Sequence, residues 1–171
     1  MNETKIAQRS GSSGWTVVPE SLHTADATAL RRAYYAEVAG RYWNRPATEA
    51  EVDEGLAEDP GTELARPTGE FVVGRLAGVP AACGGIRLLD ARTAELTRVY
   101  VDPRMRGTGG GTALLAALED AARSLGAERI RLDTRTDLVE ARALYAKHGY
   151  EEIPPYKQDP YAQHFFEKSI L

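Results

Sequence analysis

A cluster of glycines in the second half of the chain constrains the fold more than any other feature of the sequence. Four of the five positions from 107 to 111 are glycine, between the strand-like run 99–101 and a stretch with the apolar stripe of a helix. Glycine is unfavourable at a helix start unless bare backbone is needed there. The first N–H groups of a helix have no internal partners and, together with the helix dipole, form a site for an anion. The segment therefore predicts a strand, a phosphate-binding loop and a helix, and Arg106 just before the glycines can add a charge-assisted contact.

Other phosphate-binding loops do not fit these residues. A Walker loop needs Lys after its last glycine, where this chain has Thr112 and Ala113. A dinucleotide-binding G-x-G-x-x-G pattern counted from Gly107 would end on Thr112, and its strand would follow a hairpin meander, which is the wrong context. A simple tight turn needs one or two glycines rather than four. Phosphate binding of another kind is therefore favoured.

The composition fits one ordinary globular domain. The 171 residues are 43% hydrophobic and 27% charged, close to the average of soluble domains. We expect a flexible N-terminal segment at residues 1–13, which is polar and lacks the apolar stretch of a signal peptide. A single domain is predicted over residues 14–171.

The same composition disfavours several classes of partner. The net charge of −4 removes the sequence-independent attraction to phosphates that nucleic-acid binders use, so no nucleic-acid partner is expected. The longest weakly polar run, residues 76–86, is far shorter than the roughly 18 residues of a membrane span, so no membrane partner is expected. Cys83 is the single cysteine and stands in an apolar run, as a small core residue would. These features predict a cytoplasmic protein.

Hydrophobic periodicity predicts the order β, α, α, β, β, β, α, β, α, β, β, an α/β (α+β) domain with a mixed, mostly antiparallel central sheet flanked by helices. Thr24 or Asp26 is the predicted N-cap of the first helix, and Thr48 with Glu51 forms a capping box at the second. The predicted strands are residues 15–18, 70–76, 80–89, 93–101, 129–133, 150–153 and 164–170, and the predicted helices are residues 22–42, 48 to before 60, 108–125 and 139–148.

Residues 103–111, preceded by a strand and followed by Thr-Ala-Leu-Leu, resemble the coenzyme A signature (Arg/Gln)-x-x-Gly-x-(Gly/Ala) of the GNAT N-acetyltransferase superfamily. The resemblance spans about residues 71–166. It implies a splayed pair of parallel strands, residues 93–101 and 128–133, with the thioester of acetyl-CoA, the co-substrate, between them. By this resemblance the pantetheine pairs with the backbone of the first strand and the pyrophosphate rests on the loop amides. The implied coenzyme-binding residues are Val99, Tyr100, Val101, Arg106, Gly107, Thr108, Gly109, Gly110, Gly111 and Thr112.

A second motif points to the catalytic acid. The run 141–150, ARALYAKHGY, resembles the family motif in which a Tyr four residues before Gly protonates the coenzyme sulfur, and this role falls on Tyr145. The alternative is that Tyr145 is a core residue on the helical stripe it shares with Leu144 and His148. The family often places Asn seven residues before this Tyr, where this chain has Leu138.

Glu95 is the candidate general base. It lies on the signature strand, six residues before Val101, where some members of the family place the base. The alternative is an ion pair with Arg98 or an outward-facing charge. His23, His148 and His164 have no metal-ligand spacing, so no metal is expected. No motif supports an acyl-enzyme intermediate, which favours direct transfer in a ternary complex.

The acceptor is the least constrained partner. In the resembled family, the first two helices and the segment before the last strand wall the acceptor site, which makes Tyr34, Trp43 and Tyr156 the candidate substrate-binding residues. Residues 47–65 carry a charge of −7, and the rest of the chain carries +3. Aromatic rings beside carboxylates suit a small cationic amine, polyamine- or aminoglycoside-like.

Several alternatives to this acceptor remain open. An amino acid or a peptide N-terminus could be acetylated instead, and the carboxylates could simply form the solvated face of a helix. A catalytically silent acetyl-CoA sensor or scaffold is the main alternative to an enzyme, although such a domain could lose the acid and base that this chain retains. A homodimer is left open.

Overall fold

The computed structural model describes residues 14–171. The segment predicted to be flexible, residues 1–13, lies outside the described residues. The described chain contains seven strands and four α-helices in the predicted order. They are β1 (Trp15–Pro19), α1 (Ala25–Trp43), α2 (Glu49–Glu58), β2 (Gly69–Leu76), β3 (Val79–Leu88), β4 (Thr93–Val101), α3 (Gly110–Ser124), β5 (Arg129–Thr134), α4 (Val139–Lys147), β6 (Glu151–Ile153) and β7 (His164–Ser169).

Local side-chain signals set the starts of the first two helices, as predicted. The Thr24 hydroxyl accepts a hydrogen bond from the Ala27 N–H at 3.1 Å. At α2, Thr48 and Glu51 form the complete capping box. The predicted start of α3 at Thr108 is wrong by two residues, because Gly109 takes the left-handed conformation (φ 95°) and acts as N-cap. A short 3₁₀ turn, Pro103–Met105, precedes it.

The strands form one sheet in the order β1-β2-β3-β4-β5-β7-β6. Every neighbouring pair is antiparallel except β4 and β5, which are parallel. The parallel pair is short, because only residues 93–95 of β4 are in register with residues 129–131 of β5. Beyond this point Arg98 has a left-handed backbone (φ 55°), and the β3–β4 register shifts between Cys83 and Gly85. A bulge of this kind bends its strand, so β4 and β5 diverge and leave an opening in the middle of the sheet.

Apolar side chains cover both faces of the sheet. Helix α3 packs on one face against β1, β2 and β3, and Leu114, Leu118 and Trp15 are fully buried there. Helix α1 packs on the other face against β3 and β4, where Phe71 and Val73 are buried. The opening between β4 and β5 is therefore walled on both sides by helices.

The packing of Trp15 predicts a stability effect at the start of α3. A Cβ added to Gly110 would lie 2.5 Å from the Trp15 ring, closer than non-bonded atoms approach. We expect Gly110→Ala to lower the free energy of unfolding by about 1–3 kcal/mol through overpacking, measured by urea unfolding.

Gly111→Ala is the matched control for this change. A Cβ at Gly111 would approach the end of the Leu144 side chain at 2.9 Å, and this flexible group can move aside. Its unfolding free energy should stay within about 0.5 kcal/mol of wild type. Equal destabilisation by the two substitutions would contradict a clash with the Trp15 ring as the cause of the Gly110→Ala effect.

Candidate active site

A cavity of about 940 Å³ lies at the opening between β4 and β5. It is lined by residues of α1, α2, β4, the loop before α3, the end of β5 and the length of α4, together with Lys157, Asp159 and Tyr161. Val99 and Val101 line it near the glycine loop, and Glu95 lines it six residues earlier on β4. At about 3.3 Å per strand residue, the cavity follows the strand for about 20 Å.

The glycine loop offers free backbone donors to this cavity. Gly109, Gly110, Gly111 and Thr112 all line it. No side chain caps α3, and its first intrahelical bond runs from the Ala113 N–H to the Gly109 carbonyl. The N–H groups of residues 110–112 therefore have no acceptor among residues 14–171, so the loop fits a diphosphate group at a helix start.

Three predicted coenzyme residues, Arg106, Thr108 and Thr112, have side-chain partners within the protein, and Thr112 Oγ1 lies 3.0 Å from His148 Nε2. Thr108 does not line the cavity, and its hydroxyl donates to the Met105 carbonyl at 2.6 Å and accepts from the Trp15 Nε1–H at 3.1 Å. Arg106 lines the cavity and forms a 2.6 Å ion pair with Glu37 of α1. Thr108 thus ties the loop to β1, and an anion at the loop would compete with Glu37 for Arg106.

Tyr145 belongs to both the core and the cavity wall. Its side chain is 5% exposed, and its ring packs edge-on against Tyr150 at a centroid distance of 5.8 Å. It also lines the cavity, and its hydroxyl has no hydrogen-bond partner in the described part of the chain. Burial raises the pKa of Tyr145, so the phenol stays protonated at neutral pH. The structure thus leaves a neutral, unengaged proton donor beside the opening.

Glu95 is a buried anion held by several donors. It is 3% exposed, and it pairs with Arg87 and Lys157, while Arg98 pairs instead with Asp59 at 2.7 Å. The predicted alternatives, an Arg98 pair or an outward-facing charge, are therefore wrong. Burial alone would raise the pKa of Glu95, but hydrogen bonds from Tyr156 and Arg87 and the charge of Lys157 outweigh burial and lower it.

The three predicted acceptor residues lie in different surroundings. Tyr34 lines the cavity, and burial raises its pKa to about 12. Trp43 lines the cavity at its exposed end, with the Arg45 guanidinium 4.8 Å from its ring centroid. Tyr156 does not line the cavity, and its hydroxyl donates to Glu95 Oε2 at 2.7 Å.

The acidic segment faces the cavity only in part. Glu49 and Asp53 pair with Arg32, and Glu51 pairs with Arg45, all on the outer surface. The members that line the cavity are Glu58, Asp59 and Glu63. The charge of −7 counted along the sequence therefore overstates the negative charge at the site.

Sequence reasoning missed two further polar residues of the cavity wall. Asp133, at the end of β5, and Lys157, in the segment before β7, form a 2.7 Å ion pair and both line the cavity. A charged residue where a parallel strand ends is a recognisable signal for Asp133. Lys157 lies in an irregular segment and has no such signal. Leu138 lines the cavity at the position where the family often has Asn.

No helix within residues 14–171 is both long and apolar enough to cross a membrane. In the same residues, no three His, Cys, Asp or Glu side chains are placed to hold a metal ion.

Comparison with known proteins agrees with this architecture. The model of the Acetyltransferase (GNAT) family matches residues 29–150. An IAA acetyltransferase of Azospirillum brasilense is 34% identical over 111 residues, 63% of this chain and 72% of that protein. An aminoglycoside N(6′)-acetyltransferase type 1 of Stenotrophomonas maltophilia is 40% identical over 53 residues, 31% of this chain and 35% of that protein. The solved structure of PaiA N-acetyltransferase from Thermoplasma acidophilum, in complex with coenzyme A, has a TM-score of 0.69 at 16% identity and covers 91% of this chain and 98% of that chain.

The splayed sheet, the free helix start and these matches define an acyltransferase of the N-acetyltransferase class. The chain belongs to the GNAT acetyltransferase family. The family resemblance and the fold predicted from the sequence are thereby confirmed.

Proposed function

We propose that this N-acetyltransferase moves the acetyl group of acetyl-CoA directly onto a primary amine of a small cationic molecule. The observation that carries the proposal is one continuous cavity, which joins the unpaired N–H groups of residues 110–112 to Tyr145 and to a wall of carboxylates. A thioester positioned in this cavity supplies the acyl group, and the protein supplies the anion site, a proton donor and an acceptor pocket.

The coenzyme half is the region of the glycine loop. The amides of residues 110–112 and the Arg106 guanidinium would hold the pyrophosphate. The backbone of residues 99–101 would pair with the pantetheine as an added strand. In this arrangement the thioester would lie toward the splay point of β4 and β5, and Tyr145 would protonate the departing sulfur.

The acceptor half has an excess of carboxylates. Four of them, Asp59, Glu63, Glu95 and Asp133, have basic partners. Glu58 and Asp159 also line the cavity, and neither has a basic partner among residues 14–171. Trp43, Tyr42 and Tyr161 also line the cavity, with the Arg45 guanidinium over the Trp43 ring at 4.8 Å and the Arg135 guanidinium over the Tyr42 ring at 5.4 Å. The unpaired carboxylates favour a cation, and the partial match to an aminoglycoside acetyltransferase supports the same class of acceptor.

Release of free thiol from acetyl-CoA across a panel of amines tests the proposal. The panel should contain diamines, polyamines, aminoglycosides, amino acids, a peptide with a free N-terminus and neutral monoamines. The expected result is highest kcat/KM with acceptors that carry a second positive charge. Turnover limited to anionic or neutral amines would contradict the cationic acceptor, and tight acetyl-CoA binding without turnover would favour the sensor alternative.

Removing the unpaired carboxylates should weaken binding of a cationic acceptor. We expect Glu58→Gln combined with Asp159→Asn to raise KM for the best dicationic amine about tenfold, with KM for acetyl-CoA unchanged. Steady-state kinetics at low and high salt would show that the effect shrinks with screening.

Glu54→Gln is the matched control, because Glu54 lies on the same helix without lining the cavity. This substitution removes one negative charge outside the site, half of the change made in the double variant, and should leave both KM values near wild type. An equal rise in KM for the control would indicate that the overall negative charge of the protein, and not the carboxylates of the cavity, attracts the acceptor.

A further inference from the structure

The carboxylate of Glu95 has no free position for another proton donor. Its Oε1 accepts from Arg87 Nε at 3.1 Å and from the terminal Arg87 nitrogen at 2.8 Å. Its Oε2 accepts from the Tyr156 hydroxyl at 2.7 Å and from Lys157 Nζ at 3.1 Å. An ionised carboxylate has about four lone-pair sites. Glu95 therefore could take a proton from a substrate only by losing one of these donors.

Asp133 is a carboxylate in the same network with spare capacity. Its Oδ2 lies 2.7 Å from Lys157 Nζ, and its side chain is 24% exposed. No other donor in residues 14–171 reaches its carboxylate. It stands two residues beyond Arg131, the last β5 residue in register with β4. Asp133 thus lines the cavity where the two strands have begun to diverge.

The groups around Asp133 come from α1, α4 and the segment before β7. Tyr34 of α1 and Tyr145 of α4 line the cavity with it, Lys157 pairs with it, and Tyr156 precedes Lys157 in the chain. Burial raises the pKa of each of the three tyrosines, and the negative charge of Asp133 raises it further. The Asp133 carboxylate and the Tyr145 phenol thus line the same cavity.

Lys157 links the two carboxylates and is not itself a base. Burial lowers the pKa of its ammonium, but the hydrogen bond and charge of Asp133 and the charge of Glu95 outweigh burial and raise it. The ammonium therefore stays protonated. With Glu95 fixed by Arg87 and Tyr156, Lys157 is held in place and in turn holds Asp133.

We infer that Asp133 is the group that removes the proton from the acceptor ammonium, and that Lys157, anchored by Glu95, positions it. This assignment rests on the proposed acetyl transfer to a cationic amine. The ammonium gives one proton to Asp133, which returns it to solvent, and the neutral amine attacks the thioester carbonyl. The carbon–sulfur bond breaks, and Tyr145 protonates the thiolate. The second proton lost by nitrogen replaces the one that Tyr145 gave, so the products are the amide, the free thiol and one proton.

The test compares Asp133→Asn with Glu95→Gln, using the best amine of the panel. We expect Asp133→Asn to lower kcat/KM at pH 7 by about 10²- to 10⁴-fold, the usual contribution of a general base. Activity should then rise tenfold per pH unit toward the pKa of the amine, because only free amine reacts. Glu95→Gln should lower kcat/KM less and keep the wild-type shape of the pH profile. The inference would be overturned if Glu95→Gln showed the altered pH profile and Asp133→Asn kept the wild-type one. An Asp133→Asn enzyme with kcat/KM within threefold of wild type would also overturn it.

Lys157 variants give an independent readout. In Lys157→Met the Asp133 carboxylate loses the ammonium that holds it, so kcat should fall about tenfold or more while the KM for acetyl-CoA stays near wild type. Lys157→Arg should restore the wild-type kcat. A Lys157→Met enzyme with wild-type kcat, or one whose only change is a higher KM for acetyl-CoA, would contradict the positioning role.

Circular dichroism and acetyl-CoA binding establish that each variant is folded. If Asp133→Asn does not fold, the kinetics of the two Lys157 variants test the role of Asp133 instead. A wild-type enzyme that acetylates no amine contradicts the proposed function, and this inference falls with it. An active wild type with an unaffected Asp133→Asn enzyme contradicts the present inference alone.

Discussion

Replacing Tyr145 by Phe is expected to lower kcat by about 10²- to 10⁴-fold, because the departing thiolate loses its proton donor. The substitution removes one oxygen from a side chain that is 5% exposed, and that oxygen has no hydrogen-bond partner in residues 14–171. The apolar packing against Tyr150 and Phe166 remains. The fold and the KM for acetyl-CoA should therefore be unchanged. Thiol release under saturating acetyl-CoA measures the effect.

Tyr150→Phe provides the matched control. Tyr150 is a neighbouring buried tyrosine, but its hydroxyl donates to Glu119 at 3.2 Å and it does not line the cavity. This variant should keep a kcat near wild type and lose about 2 kcal/mol of unfolding free energy, the value of a hydrogen bond to a charged group. Full turnover by Tyr145→Phe would remove Tyr145 from catalysis and leave it a core residue.

A negative charge in the glycine loop should weaken coenzyme binding. We expect Gly107→Asp to raise KM for acetyl-CoA about tenfold or more, because the carboxylate would repel a diphosphate at the start of α3. The position tolerates a side chain, since a Cβ added there meets no atom within 4 Å. Its positive φ of 82° is accessible to Asp and Asn more readily than to other residues with a side chain. Steady-state kinetics with acetyl-CoA as the varied substrate measures the change.

Gly107→Asn separates charge from backbone strain. It has nearly the same shape as Gly107→Asp and no charge, so its KM for acetyl-CoA should stay near wild type. The difference between the two variants should also shrink at high salt, because the loop is exposed. Equal KM values for the two variants would contradict a diphosphate site at this loop.

Features that depend on neighbouring residues were predictable. The cap at Thr24 and the capping box at Thr48 are side-chain contacts within three residues, so their sequence signals are sufficient. The order of strands and helices followed in the same way from local periodicity. The start of α3 was misplaced because Gly107 and Gly109 both take the left-handed conformation, and it is Gly109 that acts as the N-cap.

The glycines illustrate a second limit of sequence reasoning. The cluster indicated bare backbone for a phosphate, and the loop does present free N–H groups to the cavity. Gly110, however, is also required by the Trp15 ring, which would be 2.5 Å from any Cβ there. A contact with a distant strand cannot be recognised from the local pattern.

The charge counted along the sequence was the poorest guide to the charge at the cavity. The carboxylates of residues 47–65 could be counted, but their arginine partners lie on α1, β3 and β4 or in the loop after α1. Pairing leaves Glu58 as the member of this segment that lines the cavity without a basic partner in residues 14–171. The local field at the acceptor end therefore depends on packing rather than on composition.

The coenzyme loop and the proton-transfer network thus differ in how they are encoded. The loop is a contiguous run in which strand, glycines and helix start are covalent neighbours, so the residues alone were enough to identify the family and the anion site. Asp133, Lys157 and Glu95 come from three separate segments and meet only because β4 and β5 pair briefly and then diverge. Long-range strand pairing decides which carboxylate is saturated with donors and which still faces the cavity.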